Sequence, residues 1–102
     1  MSLTLRDAQY LCWKTFRKLE TKREAPTTSI KVALELAKTA ESAVSEVQNV
    51  ANNSGDVAGK ENLQKLFSEM LYLTFVLAEH YGVNLEESFM QTIDEYILGF
   101  VG

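Results

Sequence analysis

Met70-Leu71-Tyr72-Leu73-Thr74-Phe75-Val76-Leu77-Ala78-Glu79-His80-Tyr81-Gly82-Val83-Asn84-Leu85-Glu86-Glu87 is the stretch on which the fold turns. Its apolar residues close a helix that the helical periodicity places from about Glu61 to Tyr81. Gly82 stops that helix, because a glycine just past the last periodic residue readily takes the left-handed conformation of a helix C-terminus, and Val83 supplies the accompanying apolar contact. Asn84, with Glu87 three residues on, forms a capping box for another helix, along which Leu85, Phe89, Ile93, Tyr96, Ile97 and Phe100 make an apolar stripe. In the earlier helix Met70, Leu71, Leu73, Phe75, Val76, Leu77 and Ala78 wrap most of the circumference, more than one neighbour can cover. Contiguous exposed apolar surface is rare on monomers, so a homodimer is expected to complete the bundle.

Two more helices precede this pair, one on either side of the lone proline, Pro26. The first starts at Thr4, whose hydroxyl caps the amide near Asp7 while Leu3 acts as a staple, and it carries Leu5, Ala8, Cys12, Phe16 and Leu19 to an end near Arg23. The second opens among Thr27, Thr28 and Ser29. It places Ile30, Ala33, Ala37, Ala40, Val44, Val47 and Ala51 on one side, and so many alanines permit close helix contact. Asn52, Asn53, Ser54, Gly55 and Asp56 form a turn-rich break. No strand and no repeat is read, so the expectation is an all-α, four-helix bundle in a single domain spanning residues 1–102.

The size and composition agree with that reading. A chain of 102 residues suits one hydrophobic core, and 46% hydrophobic with 24% charged residues is far from a disordered composition. The net charge of -4 removes whole-molecule attraction to nucleic acid or an anionic membrane. It is unevenly spread: through Ala25 six basic residues face three acidic, whereas beyond Lys65 there is no Lys or Arg at all. A single cysteine, Cys12, excludes an internal disulfide framework and multi-cysteine zinc sites, and it fits a reducing, cytoplasmic setting. No basic-then-apolar leader opens the sequence, and the apolar run from Met70 to Ala78 is far short of the roughly 20 residues a membrane span requires.

The segments Ala33-Leu34-Glu35-Leu36-Ala37-Lys38-Thr39-Ala40-Glu41-Ser42-Ala43 and Glu69 to Leu73, continuing through Leu77-Ala78-Glu79-His80-Tyr81-Gly82-Val83-Asn84-Leu85-Glu86-Glu87, resemble the MazG-like, all-α nucleotide pyrophosphohydrolase family. The association expected from the apolar third helix is a dimer or a dimer of dimers, and the resemblance implies an all-α scaffold. It also implies Mg²⁺ held by two carboxylate pairs on adjacent helices, in the patterns Glu-x-x-Glu and Glu-x-x-Asp. Residues three apart on a helix point the same way, so two such pairs can face each other across ions that bridge a nucleotide's phosphates.

This chain departs from that pattern. The positions that correspond are Thr39 and Ser42 on the second helix and Leu66 and Glu69 on the third, which leaves one acid in four. A shift of one residue brings in Glu41 but pairs it with Lys38, whose ammonium repels a cation. Thr92 and Tyr96 stand where the resemblance calls for a basic or amide residue. The expectation is therefore a degenerate, non-catalytic member with a binding or regulatory role, holding a nucleotide-like ligand or a protein partner between the second and third helices, with no catalytic residue and no cofactor assigned. The enzyme alternative is an Mg²⁺-dependent nucleoside triphosphate pyrophosphohydrolase using Glu69 with Glu41, or with Glu35 or Glu46. A further alternative, a small nucleic-acid- or protein-binding module, rests on the shared face of Lys14, Arg17, Lys18 and Lys22.

Other motifs read as structural. Gly55 to Lys60 has three residues between its glycines, Glu61 in place of a hydroxyl and no strand before it, so it is not a phosphate loop. His80 lacks metal-binding companions and sits where a terminal dipole favours imidazolium; Cys12 reads as a small core residue, and Tyr10 and Trp13 as core or interface aromatics.

Overall fold

A computed structural model of the chain describes residues 2–22, 27–53 and 57–101. They form four helices and no strand: α1 (Leu5–Glu20), α2 (Ser29–Asn52), α3 (Val57–His80) and α4 (Leu85–Val101). The chain is thus an all-α helical bundle. Arg23, Pro26, Ser54, Gly55, Asp56 and the side chain of Phe100, all used in the sequence reading, lie outside the described residues.

The local signals act as their chemistry requires. Thr4 and Asp7 make a reciprocal capping box at α1, with the Asp7 amide donating to Thr4 Oγ1 at 3.0 Å and the Thr4 amide to Asp7 Oδ2 at 3.2 Å. Thr28 caps α2 through the Lys31 amide at 3.2 Å. At the end of α3, Gly82 takes φ +70°, the Val83 amide donates to Ala78 O at 2.8 Å and the Gly82 amide to Glu79 O at 3.2 Å, which is a complete Schellman turn. The Glu87 amide then donates to Asn84 Oδ1 at 3.4 Å, opening α4. Two boundaries differ from expectation. α1 ends at Glu20, where Thr21 turns its hydroxyl onto Lys18 O at 2.8 Å, and α3 begins at Val57, four residues before Glu61.

Packing centres on α3, which lies against both α1 and α2, while α4 touches α1. The starts of α1 and α2 meet the C-terminal end of α3: Arg6 forks onto the carboxylate of Glu79, and Ser29 shares a hydrogen bond of 2.7 Å with the Tyr81 hydroxyl. Val32, Leu73 and Val76 form the buried core, closed by Cys12, Trp13, Phe16, Leu36, Tyr72 and Leu77. Among the described residues no helix is long and apolar enough to cross a membrane.

Two apolar surfaces lie elsewhere than the periodicity placed them. On α2 the buried residues are Val32, Thr39 and Ala43, about a quarter-turn from the alanine stripe, whose Ile30, Ala33, Ala37, Val44, Val47 and Ala51 face outward. Thr39 can be buried there because its hydroxyl donates to Glu35 O at 2.9 Å within the helix. On α3, Leu73, Phe75, Val76 and Ala78 are buried and Met70 and Leu77 half-buried, so Leu71 is the one member of the encircling set left exposed. α1 and α2 together cover what one neighbour could not.

Candidate functional site

A groove of about 980 Å³ opens between α2 and α3 and is walled at one end by the last turns of α1. Its floor is apolar: Phe16 from α1, Val32 from α2, and Tyr72 and Leu73 from α3. That size and an apolar lining with a few polar groups are what a small-molecule site offers.

The rim is charged and mixed. Lys31, Glu35, Lys38 and Glu41 follow one another along α2 at intervals of three or four residues, which keeps them on one broad face, and Glu69 stands across from them on α3. Lys38 lies three residues from both Glu35 and Glu41, so its ammonium sits in the field of two carboxylates and opposes a cation brought to either. Among the described residues no three His, Cys, Asp or Glu gather where they could hold a metal ion.

Of the four acids named from the sequence, the structure brings Glu35, Glu41 and Glu69 to the same groove, and Glu46 is not part of its lining. Of the four positions of the expected metal site, Glu69 alone lines the groove. Glu69 lines the groove and is exposed, and among the described residues its carboxylate accepts no hydrogen bond. Thr39 is buried with its hydroxyl committed to its own helix; Ser42 is exposed outside the groove lining, and Leu66 is half-buried and offers no oxygen. The donor set does not fit a pair of bridging Mg²⁺ ions, which demand several oxygen ligands in near-octahedral geometry.

The basic face is exposed at Lys14, Arg17 and Lys18 on α1 and at Lys22 in the turn that follows it. Two of its cations lie over aromatic rings of the same helix, Lys14 Nζ at 5.6 Å from the Tyr10 ring centre and the Arg17 guanidinium at 5.8 Å from that of Trp13. Trp13 in turn packs on the core and stacks on Phe16 at 6.0 Å. His80 is exposed and meets the Tyr81 ring edge-on at 4.8 Å. Burial pushes the Cys12 thiol up, away from its reactive thiolate form.

Sequence reasoning missed Gln9. It is wholly buried, at 0% exposure, and every polar valence it offers toward α3 and α4 is used. Its Nε2 donates to Glu79 Oε2 at 2.8 Å and to Val83 O at 2.7 Å, and its Oε1 accepts from the Leu85 amide at 3.1 Å. One side chain thereby ties α1 to the end of α3, the Gly82 turn and the start of α4. The hydrogen bonds from Arg6, joined by that from Gln9, hold the Glu79 carboxyl below the usual carboxylate range against the opposing effect of burial. The only available signal was a polar residue set among Leu5, Ala8, Cys12 and Phe16 on the inner face of α1. The sequence reading placed a ligand between the second and third helices and named Glu35, Lys38, Glu41 and Glu69 there, but it did not single out Lys31, which joins them on the rim.

Comparison of the chain with protein-family models, with curated proteins and with solved structures gives no match.

Proposed function

We propose that this protein is a non-catalytic, MazG-like helical binding protein that takes a nucleotide-like ligand in the groove between α2 and α3. The observation that carries the reading is the pairing of an aromatic and aliphatic floor, Phe16, Tyr72 and Leu73, with a rim on which two lysines alternate with acids and only Glu69 remains of the expected metal ligands. A flat ring fits the floor, and Lys31 and Lys38 meet a small anionic group without a divalent ion. A triphosphate is disfavoured, because Glu35, Glu41 and Glu69 repel an accumulated negative charge. The role that follows is binding or regulation, since among the described residues no three acidic or histidine groups gather to hold an ion that would activate water on a phosphate.

Calorimetric titration with nucleoside mono-, di- and triphosphates, each with and without Mg²⁺, tests this directly. The expected result is Mg²⁺-independent binding, weakened about tenfold by Lys38→Ala through loss of one charge-assisted contact, with no pyrophosphate released. No binding across the panel would refute the ligand class. The second reading, a pyrophosphohydrolase, draws on Glu41 and Glu69 lining the same groove; pyrophosphate turnover abolished by Glu69→Ala would establish it and overturn the first. Strongly salt-dependent binding of nucleic acid, lost on neutralising Lys14, Arg17 and Lys18, would instead support the module built on the basic face of α1.

A further inference from the structure

We infer that α4 is the docking surface for a second copy of this chain. Among the described residues α4, an amphipathic helix, packs on α1 yet leaves most of its apolar side chains in water: its first turn is tied to Gln9, and Phe89, Tyr96 and Ile97 are 53%, 69% and 55% exposed. With half-buried Ile93 these residues recur at intervals of four, three and one, so they form one continuous apolar strip. A helix of 17 residues with such a strip in water is marginal by itself, because tertiary packing supplies most helical stability.

The whole molecule shows the same deficit. It exposes 7841 Å², where a compact folded chain of its mass exposes about 5800 Å². Its radius of gyration is 16.4 Å, against about 13 Å for a compact domain of this length. The excess of about 2000 Å² exceeds the roughly 800 Å² each partner buries in a standard interface and matches what a subunit of an obligate homodimer gives up. The outward stripe on α2, from Ile30 to Val47, adds further apolar surface to be covered.

Charge favours a second copy over a foreign partner. Glu87, Asp94 and Glu95 flank the strip on α4 with no basic residue after Lys65, while α1 exposes Lys14, Arg17 and Lys18 and the turn after it Lys22. One chain carries both halves of a complementary pair, and a two-fold axis lets each α4 lie beside the basic face of the other chain's α1, satisfying both halves at once. The expected association thus moves from α3, which its own chain covers, to α4. It holds whatever the groove binds.

Light scattering on the full chain at micromolar concentration should give two or four times 11.5 kDa. Ile97→Glu and Tyr96→Glu should halve that mass or lower it to the single-chain value while leaving α1 to α3 folded, as judged by far-ultraviolet circular dichroism. Amide hydrogen exchange of the unaltered protein gives a readout that needs no variant: α4 amides should exchange as slowly as those of α3. A wild-type particle of 11.5 kDa, fast exchange throughout α4, or an oligomer indifferent to both substitutions would each overturn the assignment.

Discussion

α3 and α4 are apolar helices joined by one tight turn, yet α3 lies at the centre of the bundle and α4 shows most of its apolar strip to water. The difference lies in what surrounds them. α3 has α1 on one side and α2 on the other, and their side chains close over Leu73 and Val76. Among the described residues α4 packs mainly on α1, where the Leu85 amide donates to Gln9, and most of its apolar side chains stay in water. Hydrophobic burial is non-directional, so two helices of similar composition end in different environments according to the neighbours the connections allow them.

The sharpest way to separate the two helices is to truncate one aromatic residue in each. Phe75→Ala on α3 removes a ring that is 3% exposed and should lower stability by about 3–5 kcal/mol in a urea titration, at any protein concentration. Phe89→Ala on α4 should leave the single-chain fold nearly as stable and instead abolish the rise of the unfolding midpoint with concentration that an oligomer shows. An equal, concentration-independent loss for both would erase the distinction.

A smaller effect is expected at the junction between the helices. Gln9→Ala strands the Val83 carbonyl and the Leu85 amide, and a buried polar group left unpaired costs roughly 1–3 kcal/mol. The loss should be accompanied by faster amide exchange in the first turn of α4, with the middle of α3 unchanged.

The smallest effect is a dependence on pH. Glu79 has its folded-state pKa lowered, first by the hydrogen bonds from Arg6 and then by that from Gln9. Its contribution is complete above the ordinary value of 4.5 and disappears as the pH falls from there through the lowered folded value, because the unfolded chain takes up the proton first. Glu79→Gln should flatten the acid limb of a stability-against-pH profile; an unchanged limb would detach this ion pair from the junction.

The end of α3 was legible residue by residue, since Gly82, Val83 and Asn84 act through bonds to atoms at most five positions away. Thr4 and Thr28 were legible for the same reason. The inner face of α2 was not. Alanine is equally at home in a helix contact or on its surface, so the stripe through Ala33, Ala37 and Ala40 gave no hint that Val32, Thr39 and Ala43 would be turned inward instead. Gln9 was hidden for another reason: its partners stand 70 to 76 positions away and exist only once the turn at Gly82 has formed. For the groove, the sequence supplied Glu41 and Glu69 but not the floor of Phe16 and Tyr72 between them, which depends on how α1 crosses the other two helices.

Gly82 illustrates how little crowding has to do with replaceability. A side chain added there would meet no atom within 4 Å, yet the backbone at φ +70° is one that left-handed amino acids adopt only with strain. Mutational drift at this site should accordingly be confined to glycine and the few residues, asparagine foremost, that tolerate such a bend, while buried aliphatic residues such as Val76 exchange with others of similar volume.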